Sequence, residues 1–202
     1  MPERDFFDPS AKARAAEATR TVEAATSAEI VIAVRRACGR YSATSLALGA
    51  ASGLAALAAL IYSPQTFAAE TMPVDVALAV AFGYGLGAAV GPLRRMLTRA
   101  SVLSRSVDAA AKSAFYDLGI SRTQRRQGIL VFASLFEGRA RLLPDVAVNA
   151  ATLAQIEARL SARLKARDFS GFIAEVEGMA PVLAATMPRG ESDENELPDE
   201  MQ

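Results

Sequence analysis

Ser42-Ala-Thr-Ser-Leu-Ala-Leu-Gly-Ala-Ala-Ser-Gly-Leu-Ala-Ala-Leu-Ala-Ala-Leu-Ile-Tyr62 is an uncharged run of 21 residues. At about 1.5 Å per helical residue it spans the roughly 30 Å hydrocarbon layer of a bilayer. No charge stands between Arg40 and Glu70. A second apolar run, 74–93, is interrupted only by Asp75 at its edge, where a carboxylate reaches the headgroup region. Residues 63–73 join the two, with Pro64 and Pro73 marking helix ends and Tyr62 suited to an interface. The expectation is a transmembrane hairpin over 42–93. The competing reading is a buried, alanine-rich helical pair in a soluble protein.

Flanking charge separates the two. Arg35, Arg36 and Arg40 precede the hairpin, Arg94, Arg95, Arg99, Arg105 and Lys112 follow it, and the connecting loop has no Lys or Arg. That asymmetry is the positive-inside pattern, which predicts both termini on the cytoplasmic side of a bacterial-type inner membrane. The chain opens Met1-Pro2-Glu3-Arg4-Asp5, and its first apolar run begins some forty residues in, so a cleaved signal peptide is not expected.

Glycines recur every four residues in the second run, at Gly83, Gly87 and Gly91, and Gly49 and Gly53 share that spacing in the first. Such a stripe lets another backbone approach closely, either within the hairpin or across a homodimer seam through Gly83, Gly87 and Gly91. Gly83-x-Gly85-x-x-Ala88 nominally fits a dinucleotide fingerprint, but no strand precedes it.

Composition removes much chemistry. The 202 residues include no histidine and a single cysteine, Cys38, which excludes Ser-His and Cys-His dyads, an internal disulfide and a thiolate cage. Basic and acidic residues balance at 22 each, yet 189–202 holds one arginine and six acids, leaving 21 bases against 16 acids elsewhere, or +5. The acidic stretch lacks apolar periodicity and reads as a disordered, solvating tail.

The segments on either side of the hairpin read as one α/β unit, split into 8–36 and 106–186. Asp8-Pro9 begins a helix through 11–26, and Glu29-Ile-Val-Ile-Ala-Val34 is a buried strand. After the hairpin, Ser106 caps a helix over 107–118 that Gly119 closes. Residues 128–136 form a second strand, Glu137-Gly138 a two-residue turn, and 139–143 an edge strand that Pro144 breaks. Asn149 and Ser170 cap two further helices, the latter kinked at Pro181. The fold class is therefore α/β: a small sheet covered by helices, with a two-helix transmembrane insertion.

Phe115-Tyr-Asp-Leu-Gly-Ile-Ser-Arg-Thr-Gln-Arg-Arg-Gln-Gly-Ile-Leu-Val-Phe-Ala-Ser-Leu135, with the earlier strand Ala28-Glu-Ile-Val-Ile-Ala-Val34, resembles the TPM domain of bacterial and thylakoid membrane proteins. The positions that carry the likeness are Phe115, Gly119, Thr123, Arg126, Gly128 and Leu130, and it covers most of 10–36 and 106–186. It implies roles ranging from phosphatase activity and divalent-cation binding to support of membrane complexes. Where the family often has a Gly-Asp-x-Gly-Ile-like turn, this chain has Pro144-Asp145-Val146-Ala147-Val148, keeping the acid alone. Many relatives place the domain outside the cytoplasm, unlike the topology read here.

Asp145 is thus the candidate metal ligand, for Ca²⁺ or Mg²⁺, with Glu29 or Asp8 as the second carboxylate that a hard cation requires. Its plainer reading is a turn former after Pro144. Cys38 among arginines reads as a bystander thiol. Arg122, Arg125 and Arg126 read as a solvated turn or a contact to anionic headgroups; without interleaved aromatics they do not point to nucleic acid. The expected partners are the lipid bilayer and a membrane protein, in an accessory or assembly role, with a metal-dependent phosphatase as the alternative.

Overall fold

Every residue of Gly128–Ser134, strand β2, is buried, because it is the middle strand of a three-stranded mixed sheet covered on both faces. In chain order the elements of this computed structural model are α1 (Pro9–Ala25), β1 (Glu29–Arg35), α2 (Ser42–Tyr62), α3 (Met72–Ala89), α4 (Gly91–Leu97), α5 (Ala100–Asp117), β2, β3 (Arg139–Pro144), α6 (Ala150–Ala166), α7 (Phe169–Glu177) and α8 (Ala180–Ala184). The structure describes residues 4–189. The acidic tail expected over 189–202 lies, apart from Arg189, outside the described residues.

The chain divides into two units. One comprises the residues up to Cys38 and from Ser104 onward, the other Gly39–Leu103. In the first, β1 pairs parallel with β2 from Glu29 opposite Gly128 to Arg35 opposite Ser134, and β3 pairs antiparallel with β2. Alternate residues enter two cores. Ile30, Ile32, Ile129 and Val131 meet α1, α6 and α7 on one face, whereas Val31, Ala33, Leu130 and Phe132 meet Val107, Ala111 and Phe115 of α5 on the other. Burial on both faces explains why β1 and β2 read as continuous apolar runs.

Helical side chains close the exposed edges. On β3, the Leu142 N–H donates to Glu157 Oε2 at 2.9 Å and the Ala140 N–H to Ser161 Oγ at 3.0 Å, both from α6. On β1, the Ile30 N–H donates to Glu23 Oε1 at 2.9 Å. Spending strand donors this way denies the edges to another chain.

In the second unit α2 and α3 pack through their glycines. A Cβ on Gly83 would fall 2.7 Å from the Leu48 carbonyl oxygen and one on Gly49 2.9 Å from that of Val80, so neither position admits a side chain at this separation. A Cβ on Gly87 would lie 2.9 Å from the Ser45 Cα, while one on Gly85 would meet nothing within 4 Å. Gly83 and Gly87 thus face α2, and a homodimer seam through them would compete with the hairpin's own contact. The outward faces carry large apolar side chains: Leu54, Ile61, Leu78 and Phe82 are all more than half exposed.

Several expected boundaries shift. The second apolar run ends as a helix at Ala89, and Gly91 opens α4 instead of continuing the stripe, because Pro92 has no N–H to extend the ladder. Helix α5 begins at Ala100, with Ser106 inside it, since nothing between Arg99 and Gly119 disfavours a helix. The β2–β3 connection takes four residues, 135–138, with Gly138 at φ 58°. Asp168, not Ser170, caps α7 by accepting from the Gly171 N–H at 2.8 Å. Pro181 does not kink that helix but opens a separate one, α8, after Gly178.

Candidate functional site

Asp145 stands one residue beyond β3 and is buried. Its N–H donates to the Gly128 carbonyl at 2.8 Å and its Oδ1 accepts from the Val146 N–H at 2.8 Å. Its Oδ2 lies 2.9 Å from Nε of Arg126. Arg126 reaches it from a left-handed backbone, φ 55°, which a non-glycine residue adopts only when its surroundings hold it there. Those surroundings are specific: Arg126 Nη1 donates to the Ser121 carbonyl at 2.7 Å, and its own carbonyl accepts from the Ala147 N–H at 3.2 Å.

The neighbouring motif residues complete this strap. Thr123 is buried, and its hydroxyl donates to the Ile120 carbonyl at 3.4 Å. A Cβ on Gly128 would lie 2.9 Å from the same carbonyl oxygen. Thr123, Arg126 and Gly128 therefore share one job, folding the turn before β2 onto the chain that leaves β3. Arg126, which the sequence grouped with a solvated basic cluster, is instead the counter-ion of Asp145.

Glu29 starts β1 opposite Gly128, at the same end of the sheet as Asp145. Asp8 does not join them: it precedes α1 and lines a hollow with Asp5, Arg14, Arg167 and Asp168. Asp117 accepts from the Ser113 hydroxyl at 3.0 Å within α5. Among the described residues, no group of three or more Cys, Asp or Glu side chains is placed to hold a metal ion. Ca²⁺ or Mg²⁺ requires several converging oxygens, and Asp145 is already neutralised by a guanidinium. The residues present do not fit a dedicated divalent-cation site.

A second polar cluster at the opposite end of the sheet escaped the sequence reading. Glu137, buried in the β2–β3 turn, accepts from the Ser134 hydroxyl and, at Oε1, from the Cys38 N–H at 2.9 Å. It thereby ties the end of β2 to the segment leaving β1. The signal was an acid between Phe136 and Gly138, set among apolar residues just past a buried strand that ends in Ser134. Burial pushes the Cys38 thiol from its ordinary 9.0 up to about 11, and Glu137 adds to the rise, while the Ser134 hydrogen bond and Arg35 oppose it. A thiol so held is a poor nucleophile at neutral pH.

No family model matches the chain, and no curated protein matches it in sequence. Among solved structures it is similar to the NMR structure of BA42 protein from the psychrophilic bacterium Bizionia argentinensis, with a TM-score of 0.55 and 14% identity. That likeness covers 96% of this chain and 92% of the other. At such identity it speaks for the fold alone.

Proposed function

We propose that this chain is an integral protein of a bacterial-type cytoplasmic membrane, anchored by the α2–α3 hairpin. Its TPM-like α/β body lies on the inner face, both termini are cytoplasmic, and it acts as an accessory or assembly factor for a membrane complex. The observation that carries this reading is the exposure of the hairpin. Only 17% of the apolar stretch of α2 and 11% of that of α3 are buried within the chain, whereas a core helix would be mostly buried. Leaving Leu54, Ile61, Leu78 and Phe82 in water would forfeit about 1.5–3 kcal/mol for each side chain. A bilayer removes that cost, and the basic residues at the outer ends match its cytoplasmic surface.

The polar clusters of the α/β body are consistent with a supporting role. Asp145 with Arg126, and Glu137 with Ser134 and Cys38, spend their side chains on holding chain segments together. Crosslinking in native membranes followed by co-purification tests the assembly role, with a membrane-protein partner as the expected result. Magnesium-dependent hydrolysis of a generic phosphoester by the purified chain, lost in Asp145→Asn, would replace this reading with a phosphatase.

A further inference from the structure

The Gly39–Leu103 unit contains a groove of 490 Å³ beside α2. Its lining is apolar along one length, with Ala47 and Ala51 of α2 facing Leu97 and Val102, and basic at one end, with Arg40 and Arg99. Thr98 defines how that end is built. Its single hydroxyl proton goes to the Arg94 carbonyl at 2.7 Å, so in the 2.9 Å contact between Thr44 and Thr98 it is Thr44 that donates. Both hydroxyls are therefore committed to fastening the start of α2 to the end of α4. The groove they leave presents guanidinium groups at its mouth and hydrocarbon below it.

Charge selects the occupant. The only acids between residues 39 and 103 are Glu70 and Asp75, both near the connecting loop at the far end of the helices. Arg40 and Arg99 are exposed, and among the described residues neither forms an ion pair with a carboxylate. From Arg40 to Ala51 the groove follows α2 for roughly 16 Å, about half of the 30 Å hydrocarbon thickness, or the depth of one leaflet. We infer that this groove is a binding site for an anionic membrane phospholipid, its phosphate held by Arg40 and Arg99 and one acyl chain lying over Ala47 and Ala51 between Leu97 and Val102. Basic pockets at the cytoplasmic ends of transmembrane helices suit anionic headgroups in this way.

The inference rests on the membrane reading of the hairpin, and the two fail separately. Alkaline carbonate extraction of membranes from cells expressing the full chain tests the first: release into the supernatant would remove both. For the second, the detergent-solubilised full chain is titrated with phosphatidylglycerol, phosphatidylcholine or inorganic phosphate, and followed by native mass spectrometry and thermal melting. The expected result is one retained phosphatidylglycerol per chain, a raised Tm, and roughly thirtyfold weaker retention of phosphatidylcholine, each arginine contributing about a factor of five. Arg40→Gln with Arg99→Gln should abolish that preference. Ala51→Phe, on an exposed face of α2, should displace the lipid while keeping the arginines. Equal retention of the two lipids, preference surviving in the double variant, or a shift produced equally by phosphate alone would overturn the inference.

Discussion

The Arg126–Asp145 pair shows how a charged residue can matter without doing chemistry. Asp145 is nearly enclosed while Arg126 is about half exposed, with side-chain accessibilities of 3% and 49%. The pair is therefore partly screened, and its main effect is to offset the charge of a buried carboxylate. Asp145→Asn should lower the stability of the α/β body by about 1–2 kcal/mol in chemical denaturation, because the amide keeps the Val146 contact but loses the charge. Calcium or magnesium should leave the wild-type melting temperature unchanged. A cation-dependent rise that Asp145→Asn abolishes would contradict the assignment of this residue to Arg126.

Cys38 gives a pH-dependent readout at the same scale. Its folded-state pKa of about 11 lies above the ordinary 9.0, so the protonated thiol favours the fold. That contribution is complete below pH 9.0 and is lost as pH rises through about 11. At pH 8 the thiolate fraction is ~100-fold below that of a free cysteine, so alkylation should be slowed by about that factor in the native chain and restored in denaturant. Unfolding-independent, rapid alkylation would show that the thiol is not held as described. The sequence made Asp145 and Arg126 visible as separate oddities; their pairing depends on contacts across twenty residues of chain and on a left-handed backbone at a non-glycine residue, neither of which a local pattern encodes. Glu137 was hidden for the same reason, since only the fold turns it inward.

At the scale of elements, the glycines of the hairpin divide into two kinds. Gly83 is filled on its α2 side by the Leu48 carbonyl and Ser52, whereas Gly85 meets nothing within 4 Å. Gly83→Leu should therefore weaken the α2–α3 contact by about 1–3 kcal/mol through overpacking, and Gly85→Leu should be close to neutral. Equal effects in a detergent-based unfolding measurement would mean that the stripe does not set the contact. Much of this level was legible: Ser42–Tyr62 is bounded as its charge-free composition indicates, and Asn149 caps α6 by accepting from the Ala151 N–H at 3.0 Å. What misled were caps judged singly. Ser106 has the right chemistry for a helix start, but the Arg99 carbonyl already accepts from Val102 and Leu103, so the helix begins about two turns earlier. At Asp168 a carboxylate two residues upstream takes the role that Ser170 suggested.

Across the whole molecule, the parallel pairing of β1 with β2 means that the chain must leave the sheet at Arg35 and return at Gly128 in the same direction. The hairpin is carried inside that crossover, so the α/β body is completed only by residues from both sides of the insertion. On the proposed membrane reading, both ends of the hairpin would therefore lie on one side of the bilayer. Cys38 itself reports poorly on sidedness, because burial and its raised pKa would protect it on either face. The direct measurement uses a Cys38→Ser background with a single cysteine introduced either at Gln65, in the exposed loop, or at Lys165, on the exposed face of α6. With a membrane-impermeant thiol reagent on intact cells, Gln65→Cys should be labelled and Lys165→Cys only after permeabilisation. Labelling of Lys165→Cys in intact cells, or protection of Gln65→Cys until the cells are opened, would contradict the membrane-inserted hairpin with a cytoplasmic body.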